Sequence, residues 1–374
     1  MHAAGSKRES KAVLALGVLF AVGCSDELDL PPIRYQTEHL RIGTDFTTPV
    51  CAGSIDRLEQ HVQRLERLLD TEVSEPIELY WFTGSPPCGP GDRASGCYVR
   101  ESGIVLTQYG SARHELAHAV SYLWGDPDRF YGEGVAQAFS GERSSFGEAL
   151  PSASLGRLER VPTDDAAHFI RWLYERKGPR PLRTLFERSH QNDRPSAERA
   201  FIAAYGEPIS QLEQLYYAEA PEHYPGFSWC FDDVEVLPWQ GDYWLQSIEL
   251  DCEATHTRGT EAMTRTVAFD VARAGRFTFE IEAPARAYLT TCQTEVIDKG
   301  QPDLSERGPV GEEPGGSVFS VGTWIESGRG VELGLYAGRY RIAIEVVPTG
   351  KVTVRAYLGP RLTGTTVEQH SFDE

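Results

Sequence analysis

Several patterns are missing from this sequence, and each absence excludes a class of protein. The chain has no glycine-rich phosphate loop, no serine nucleophile elbow and no internal repeat, so P-loop enzymes, α/β-hydrolases and solenoids are not expected. It has no C-x-x-C spacing, which argues against zinc binding by paired thiols. Beyond the N-terminal segment, no apolar run is long enough for a membrane-spanning helix.

Positive charge is also scarce. The 36 Lys and Arg are outnumbered by 55 Asp and Glu, which gives a net charge of −19. Nucleic acids and anionic membrane surfaces repel such an acidic chain, so no nucleic-acid partner is predicted. The charge fits a protein that is soluble in an extracytoplasmic space.

The N-terminus is typical of an export signal. Residues 1–23 contain a basic segment followed by an apolar stretch, residues 12–22, that is too short to span a bilayer comfortably. The sequence Ala-Val-Gly-Cys24 resembles a bacterial lipobox, which implies cleavage before Cys24, lipidation of its thiol and anchoring in the cell envelope. The alternative is an ordinary signal peptide and a secreted protein. Residues 24–36, acidic and proline-containing, are predicted to be a tether.

Cysteine usage agrees with export. An even number of cysteines follows Cys24, which indicates disulfides in an exported chain. They are Cys51, Cys88, Cys97, Cys230, Cys252 and Cys292. Three precede residue 220 and three follow it, so if all six pair, an odd number of bridges must join the two halves. Six cysteines allow fifteen pairings, and the sequence does not choose among them.

The patterning of the chain changes near residue 222. Before it, a helical spacing of apolar residues at Ser54–Leu69 and a strand at Ile77–Phe82 indicate a mixed α and β domain, residues 37–222. After it, short alternating strands with glycine turns predict an all-β sandwich, residues 223–374. The predicted fold class is therefore α+β, in two domains.

The strongest motif is H-E-x-x-H at residues 114–118. Residues four apart share one face of a helix, so the imidazoles of His114 and His118 can point at one metal ion. Glu115 is rotated away from that face, where its carboxylate can act as a general base without being a ligand. The alternative is a buried helix with two histidines that serve only the core.

A catalytic zinc ion needs a third protein ligand and one open position. Glu133 begins a second predicted helix, and the glycines on either side of it allow the backbone to approach closely. A helical hairpin would set Glu133 opposite the two histidines, whereas a third histidine six residues after His118 is absent. Only fourteen residues separate His118 from Glu133, so Glu115 or Glu142 as the third ligand is kept as an alternative.

H-E-L-A-H followed by G-E-G-x-A resembles the gluzincin metallopeptidases, and most closely the secreted bacterial peptidase MA-like group. The resemblance covers roughly residues 38–220 and includes the predicted helical stretches 166–178 and 200–215. It implies a zincin-like domain of a small sheet plus helices, in which extended substrate lies along the strand Ile104–Gln108 at the sheet edge. Residues 97–107, which contain Ile104-Val105-Leu106, are predicted to form a hairpin or a single strand.

The leading prediction is a zinc metallopeptidase of the gluzincin type. It would hold Zn²⁺ by His114, His118 and Glu133 and hydrolyse a protein or peptide substrate with Glu115 as the base. The alternative is a catalytically inactive zincin-fold envelope binding protein, and a zinc hydrolase of non-peptide bonds is a third possibility. A gluzincin also needs a donor to the oxyanion. His168 or Tyr174 could serve, although a core or surface role suits each better.

Overall fold

The structure is a computed structural model. It describes residues 29–358 except 90–93, 142–143, 148–150, 157–162, 191–192, 227–233, 261, 282–283, 293–298, 300–322, 329, 336 and 347–349. The predicted signal peptide, Cys24, Glu142 and Cys230 lie outside the described residues. From Pro31 onward the described chain forms one compact unit. In the part of the chain that is described, no helix combines the length and apolar character needed to cross a bilayer.

Five of the described strands form a mixed sheet in the order β1-β2-β3-β5-β4. These strands are β1 (Ile33–Gln36), β2 (Leu40–Thr44), β3 (Ile77–Phe82), β4 (Gly96–Val99) and β5 (Ile104–Gln108). The three inner strands run parallel, and β1 and β4 are antiparallel to their neighbours. The predicted tether, residues 24–36, extends four residues too far, because its last four residues form β1.

The sheet edge differs from the predicted one. β5 lies inside the sheet, between β3 and β4, and its apolar residues Ile104-Val105-Leu106 are buried. The prediction that Ile104–Gln108 is the exposed edge is therefore wrong. The hairpin alternative for this segment is right: the chain folds back on itself, so that β4 covers β5 and, among the described strands, β4 pairs on one side only.

Helices pack on this sheet around the first hydrophobic core. They are α1 (Ala52–Leu69), α2 (Ala112–Ser121), α3 (Arg129–Phe139), α4 (Pro151–Ser154), α5 (Thr163–Lys177), α6 (Pro179–Arg188), α7 (Arg194–Tyr205) and α8 (Ile209–Glu219). The helical spacing predicted for α1 is confirmed, because its buried residues Leu58, Val62, Leu65 and Leu69 lie on one face. The two short strands β6 (Ser144–Ser145) and β7 (His223–Tyr224) pair with each other, and Tyr224 still belongs to this first core.

The C-terminal part is rich in β-structure. Its strands are β8 (Glu235–Val236), β9 (Tyr243–Leu250), β10 (Thr257–Gly259), β11 (Met263–Val271), β12 (Gly275–Ile281), β13 (Ala285–Thr291), β14 (Thr323–Glu326), β15 (Val331–Leu335), β16 (Gly338–Val346) and β17 (Gly350–Leu358). The described strands form one sheet in the order β10-β11-β16-β13-β14, with β8 beside β11, and a second in the order β15-β12-β17-β9. Every second residue of β16 is buried, and both sheets contribute to one hydrophobic core. This arrangement fits a β-sandwich.

A disulfide and backbone hydrogen bonds join the two parts at the start of α1. Cys51 is bonded to Cys252, 201 residues away in sequence. The amide of Ala52 donates to the carbonyl of Cys252 at 2.8 Å, and the amide of Gly259 donates to Ser54 Oγ at 2.9 Å. The first amides of a helix have no partner within it, so the β-rich part supplies one of the missing acceptors.

The prediction of disulfides is confirmed. Cys88 and Cys97 form a second bridge, and Cys292 is also disulfide-bonded. Such bonds persist in oxidising compartments, which is consistent with an exported protein. Lipid anchoring through Cys24 stays a prediction.

Candidate metal centre

The H-E-x-x-H motif lies on α2, as its spacing predicted. Ser111 is the residue before the helix, although its side chain makes no capping hydrogen bond. After α2 the chain makes one 3-10 turn, Tyr122–Trp124, and then breaks at Gly125. Gly125 has φ +141°, and a Cβ there would lie 2.7 Å from the carbonyl oxygen of Phe186. Only glycine fits this position, so it ends the first helix of the pair.

Asp128 fixes the start of α3. Its carboxylate accepts hydrogen bonds from the amides of Phe130 (3.1 Å) and Gly156 (3.0 Å), and its own amide donates to Ser189 Oγ at 3.0 Å. Burial raises the pKa of Asp128, while the two amide donors act in the opposite direction. The buried cap therefore ties the first turn of α3 to two other segments, and Glu133 lies one turn beyond it.

The glycines on either side of Glu133 allow close packing, as predicted. A Cβ at Gly134 would lie 2.6 Å from Ile170 Cγ1 and 3.1 Å from the carbonyl oxygen of Ala166, both on α5. A Cβ at Gly132 would lie 2.8 Å from the hydroxyl of Tyr122. α3 is thus held against its neighbours on two sides, which determines where the side chain of Glu133 projects.

His114, His118 and Glu133 converge on one point. Their potential ligand atoms all lie within 4.8 Å of one another. Glu133 Oε2 is 3.6 Å from His114 Nε2 and 3.8 Å from His118 Nε2. Tetrahedral zinc ligands at about 2.0–2.2 Å from the ion are roughly 3.4 Å apart. The two distances from Glu133 Oε2 to the histidines are thus within a few tenths of an ångström of this spacing.

Of the two alternatives for the third ligand, Glu115 does not displace Glu133, and Glu142 is not tested. Glu115 lies next to this group of three residues and is not a member of it. Glu142 lies outside the described residues. The prediction from the glycine-flanked glutamate therefore agrees with the geometry.

Contacts outside the group orient the two imidazoles. His114 Nδ1 lies 3.1 Å from Gln137 Oε1, and the Gln137 amide donates to Asp164 Oδ1 at 3.4 Å. With the proton of His114 on Nδ1, the lone pair of Nε2 points towards Glu133, which is the arrangement a metal ligand needs. The ring of His118 packs edge-on against Tyr122, with centroids 5.6 Å apart.

The two carboxylates differ in their affinity for protons. Burial by itself would raise the pKa of Glu133, but the imidazoles of His114 and His118, with Nε2 atoms 3.6 and 3.8 Å from Glu133 Oε2, hold it below its ordinary value. Burial raises the pKa of Glu115, and the charges of the two histidines only partly oppose this effect. Glu133 therefore stays ionised, as a ligand must, whereas Glu115 takes up a proton more readily, as a general base must.

Glu115 is enclosed by the edge strand β4. Its side chain is buried, and its carboxylate accepts a hydrogen bond from the backbone N–H of Tyr98. A Cβ at Gly96 would lie 2.7 Å from Glu115 Cγ and 2.9 Å from Oε1. β4 can approach this close only because residue 96 is glycine, and the same strand forms a wall of the site.

The group faces a cleft of about 650 Å³ between β4, α2 and α3. Tyr98, Tyr122 and Gln137 line it, and none of the three was predicted from the sequence. Two of them had a signal in the sequence, since Tyr122 follows His118 by four residues and Gln137 follows Glu133 by four.

Neither proposed oxyanion donor lines this cleft. His168 is fully buried, and its Nδ1 lies 2.9 Å from the hydroxyl of Tyr216. The ring of Tyr174 packs against Phe139 with a centroid distance of 5.0 Å. Their core role, the alternative considered for both, agrees with the structure.

Comparisons with known proteins leave the function to be argued from the site itself. No protein-family model matches the chain, and no curated protein matches it. Among solved structures, it is similar to the pre-peptidase C-terminal domain of collagenase from Bacillus anthracis. That match has 9% identity and a TM-score of 0.18, and it covers 34% of this chain and 94% of the other. A likeness this weak carries no argument about fold or function.

Proposed function

We propose that the protein is a zinc-dependent peptidase. In this proposal His114, His118 and Glu133 hold the metal, and Glu115 is the general base. The observation that supports it most is the convergence of three ligand atoms within 4.8 Å at a cleft of about 650 Å³. A fourth, buried acid lies beside this group, and a purely structural metal site has no use for it.

The chemistry of the donors suits zinc. Two imidazole nitrogens and one carboxylate oxygen are a donor set found in catalytic zinc sites, where three protein ligands leave one position open. Gln137 supports the fit, because its contact with His114 Nδ1 leaves Nε2 as the ligand atom.

Each residue then has a defined task. A bound zinc ion would supply Lewis acidity, which lowers the pKa of water towards neutrality and polarises a peptide carbonyl. Glu115 takes the proton of the attacking water and delivers it to the leaving amine. Its burial favours this transfer because it raises the pKa of the carboxyl group. The three ligands and the wall formed by β4 orient the reacting groups.

The free side of β4 offers a place for an extended substrate. β4 pairs only with β5 among the described strands, and it lines the cleft beside Glu115. A peptide added along this edge would make backbone hydrogen bonds, as in other complexes that extend a sheet. Strand β4 therefore takes the role that we predicted for Ile104–Gln108.

The test is the substitution Glu115→Gln, which removes the base and keeps the three ligands. We expect the variant to bind zinc as the wild type does, measured as metal content, and to cleave a peptide library about 10²–10⁴-fold more slowly. A matched control is Glu198→Gln, which lies on α7 and pairs with Arg194.

Two results would contradict the proposal. If Glu115→Gln cleaves as fast as the wild type, the assigned base is wrong. If the wild-type protein binds no zinc, the inactive binding protein becomes the better interpretation.

A further inference from the structure

The charges that line the cleft differ from those of the whole chain. Carboxylates outnumber Lys and Arg in the sequence, 55 to 36. In the described cleft, the only acidic side chains are Glu115 and Glu133, which the proposed function already uses. The remaining charged side chains of this lining are three arginines: Arg100, Arg113 and Arg129. An acidic protein thus has a cleft whose other permanent charges are all positive.

Two of these arginines lie at the same end of the cleft. Arg100 follows β4 and forms an ion pair with Asp126. Arg129 begins α3, and its Nε is 3.7 Å from Glu133 Oε1. Both guanidinium groups act on the hydroxyl of Tyr122: they lower its pKa, although burial and the charges of Glu133 and Asp126 raise it overall. Arg100, Arg129 and Tyr122 therefore surround one region next to the candidate metal ligands.

Arg113 lies on another side of the site. It precedes His114 on α2, and its carbonyl oxygen accepts a hydrogen bond from His61 Nε2 at 3.0 Å. Its charge helps to lower the pKa of the buried His61, after the larger effect of burial. We therefore assign the recognition of substrate charge to the end of the cleft that holds Arg100 and Arg129.

The exposure of these two side chains fits a role in binding. Arg100 and Arg129 are 49% and 47% exposed at the wall of the cleft. A guanidinium group carries five N–H donors in a planar fork that matches the geometry of a carboxylate. Low-dielectric walls concentrate the field of such charges inside a cleft.

We propose that the substrate is a peptide with a carboxylate close to the scissile bond, and that Arg100 and Arg129 bind this carboxylate beside the metal centre. The inference rests on the proposed function, because it names the substrate class of the same cleft. The carboxylate could come from an Asp or Glu side chain or from the C-terminus of the peptide. Both sources offer the same chemistry, and the experiment separates them.

The first measurement compares kcat/KM for matched peptides. One set has Glu or Gln at each position around the cleaved bond, and a second has a free or an amidated C-terminus. We expect wild-type protein to cleave the carboxylate form about fivefold faster, the size of effect typical of a half-exposed ion pair. The set that shows the preference identifies the source of the carboxylate.

Substitution of Arg100 tests which residue recognises the charge. Arg100→Gln should reduce the preference, since only Arg129 then remains to bind the carboxylate, and Arg100→Lys, which keeps the charge, should retain more of it. Arg183→Gln is the matched control, since Arg183 is 54% exposed and pairs with Glu187 at 2.8 Å on α6, outside the cleft. It should leave the preference unchanged.

A binding measurement keeps this inference separate from the proposed function. Fluorescence anisotropy with the Glu115→Gln variant should show tighter binding of the carboxylate peptide than of its neutral match. If the wild type cleaves both forms equally, or if Arg100→Gln keeps the full preference, the charge recognition is wrong and the peptidase stands. If no peptide is cleaved but the carboxylate form still binds more tightly through Arg100, the peptidase is wrong and the carboxylate site stands.

Discussion

At the scale of single residues, the candidate site depends on how burial is balanced by charge. Glu133 and Glu115 are both largely removed from solvent, yet their pKa values shift in opposite directions. The difference comes from the two histidines, whose Nε2 atoms lie 3.6 and 3.8 Å from Glu133 Oε2 and which act on Glu115 only through their charge. Two neighbouring acids thereby acquire different tasks.

The buried His168 gives a prediction about pH. Burial, with smaller effects from His223 and Lys299, lowers the pKa of His168 to about 3. Below pH 6.5 the unfolded chain therefore binds a proton at this residue that the folded chain does not. The contribution of neutral His168 to the free energy of unfolding is therefore complete above the pKa of the unfolded state. It is lost as the pH falls towards 3, and the loss is at most about 1.4 kcal/mol per pH unit.

The measurement is chemical denaturation of wild type and His168→Asn at pH 7 and pH 5. Asn can keep a hydrogen bond to Tyr216 but cannot take up the proton. The free energy of unfolding of the variant should therefore fall less on acidification, by about 1–2 kcal/mol over this range. An equal fall in both proteins would show that His168 is not a buried neutral group.

At the scale of secondary-structure elements, the position of Glu133 follows from how tightly α3 packs on α5. The contact at Gly134 involves both a side chain, Ile170, and a backbone carbonyl, that of Ala166. The side chain can rotate away from an added group, whereas the carbonyl of a helix cannot. Helix α3 must therefore shift if residue 134 becomes larger.

We accordingly predict that Gly134→Val destabilises the protein by about 1–3 kcal/mol through overpacking. It should also weaken zinc binding, because Glu133 moves with the helix. Thermal unfolding and titration with a zinc buffer measure the two effects. Gly84→Val is a suitable control, since a Cβ at Gly84 has no neighbouring atom within 4 Å. Unchanged zinc affinity in Gly134→Val would mean that this contact does not position Glu133.

The elements also show what could be predicted from the sequence. The spacing of His114 and His118 and the glycines around Glu133 are local signals, and both helices formed as they indicated. The prediction of the edge strand was wrong because the order of strands in a sheet depends on pairing between residues far apart in sequence. β4, with the sequence Gly-Cys-Tyr-Val, has no alternating pattern that marks it as the outer strand. Arg100 and Arg129 were missed for a related reason, since only the folded chain brings their charges to one cleft.

At the scale of the whole molecule, α1 connects the β-rich part to the motif helix. At its start, Cys51 forms the disulfide with Cys252, and Ser54 accepts a hydrogen bond from the amide of Gly259. In its middle, His61 is hydrogen-bonded to the carbonyl of Arg113 on α2. One helix thus contacts both the bridge between the two parts and the segment that carries the candidate ligands.

The two described disulfides should accordingly have different effects. In the chain-entropy model, the Cys51–Cys252 bridge closes a loop of 201 residues and should contribute about 5 kcal/mol, whereas Cys88–Cys97 closes a loop of 9 and should contribute about 2–3 kcal/mol. Paired Cys→Ala variants and denaturation measurements test this order. Loss of Cys88–Cys97 should reduce peptide cleavage more, since Cys97 lies in β4. Equal losses of stability would contradict the loop-length argument.

The long bridge also affects how the protein is made. Cys51 is synthesised 201 residues before Cys252, so its thiol has to wait until most of the chain exists. A fragment released before that point contains His114, Glu115, His118 and Glu133 but keeps a reduced Cys51. Thiol-reactive probes would therefore distinguish truncated products from finished molecules, even though both contain every residue of the candidate centre.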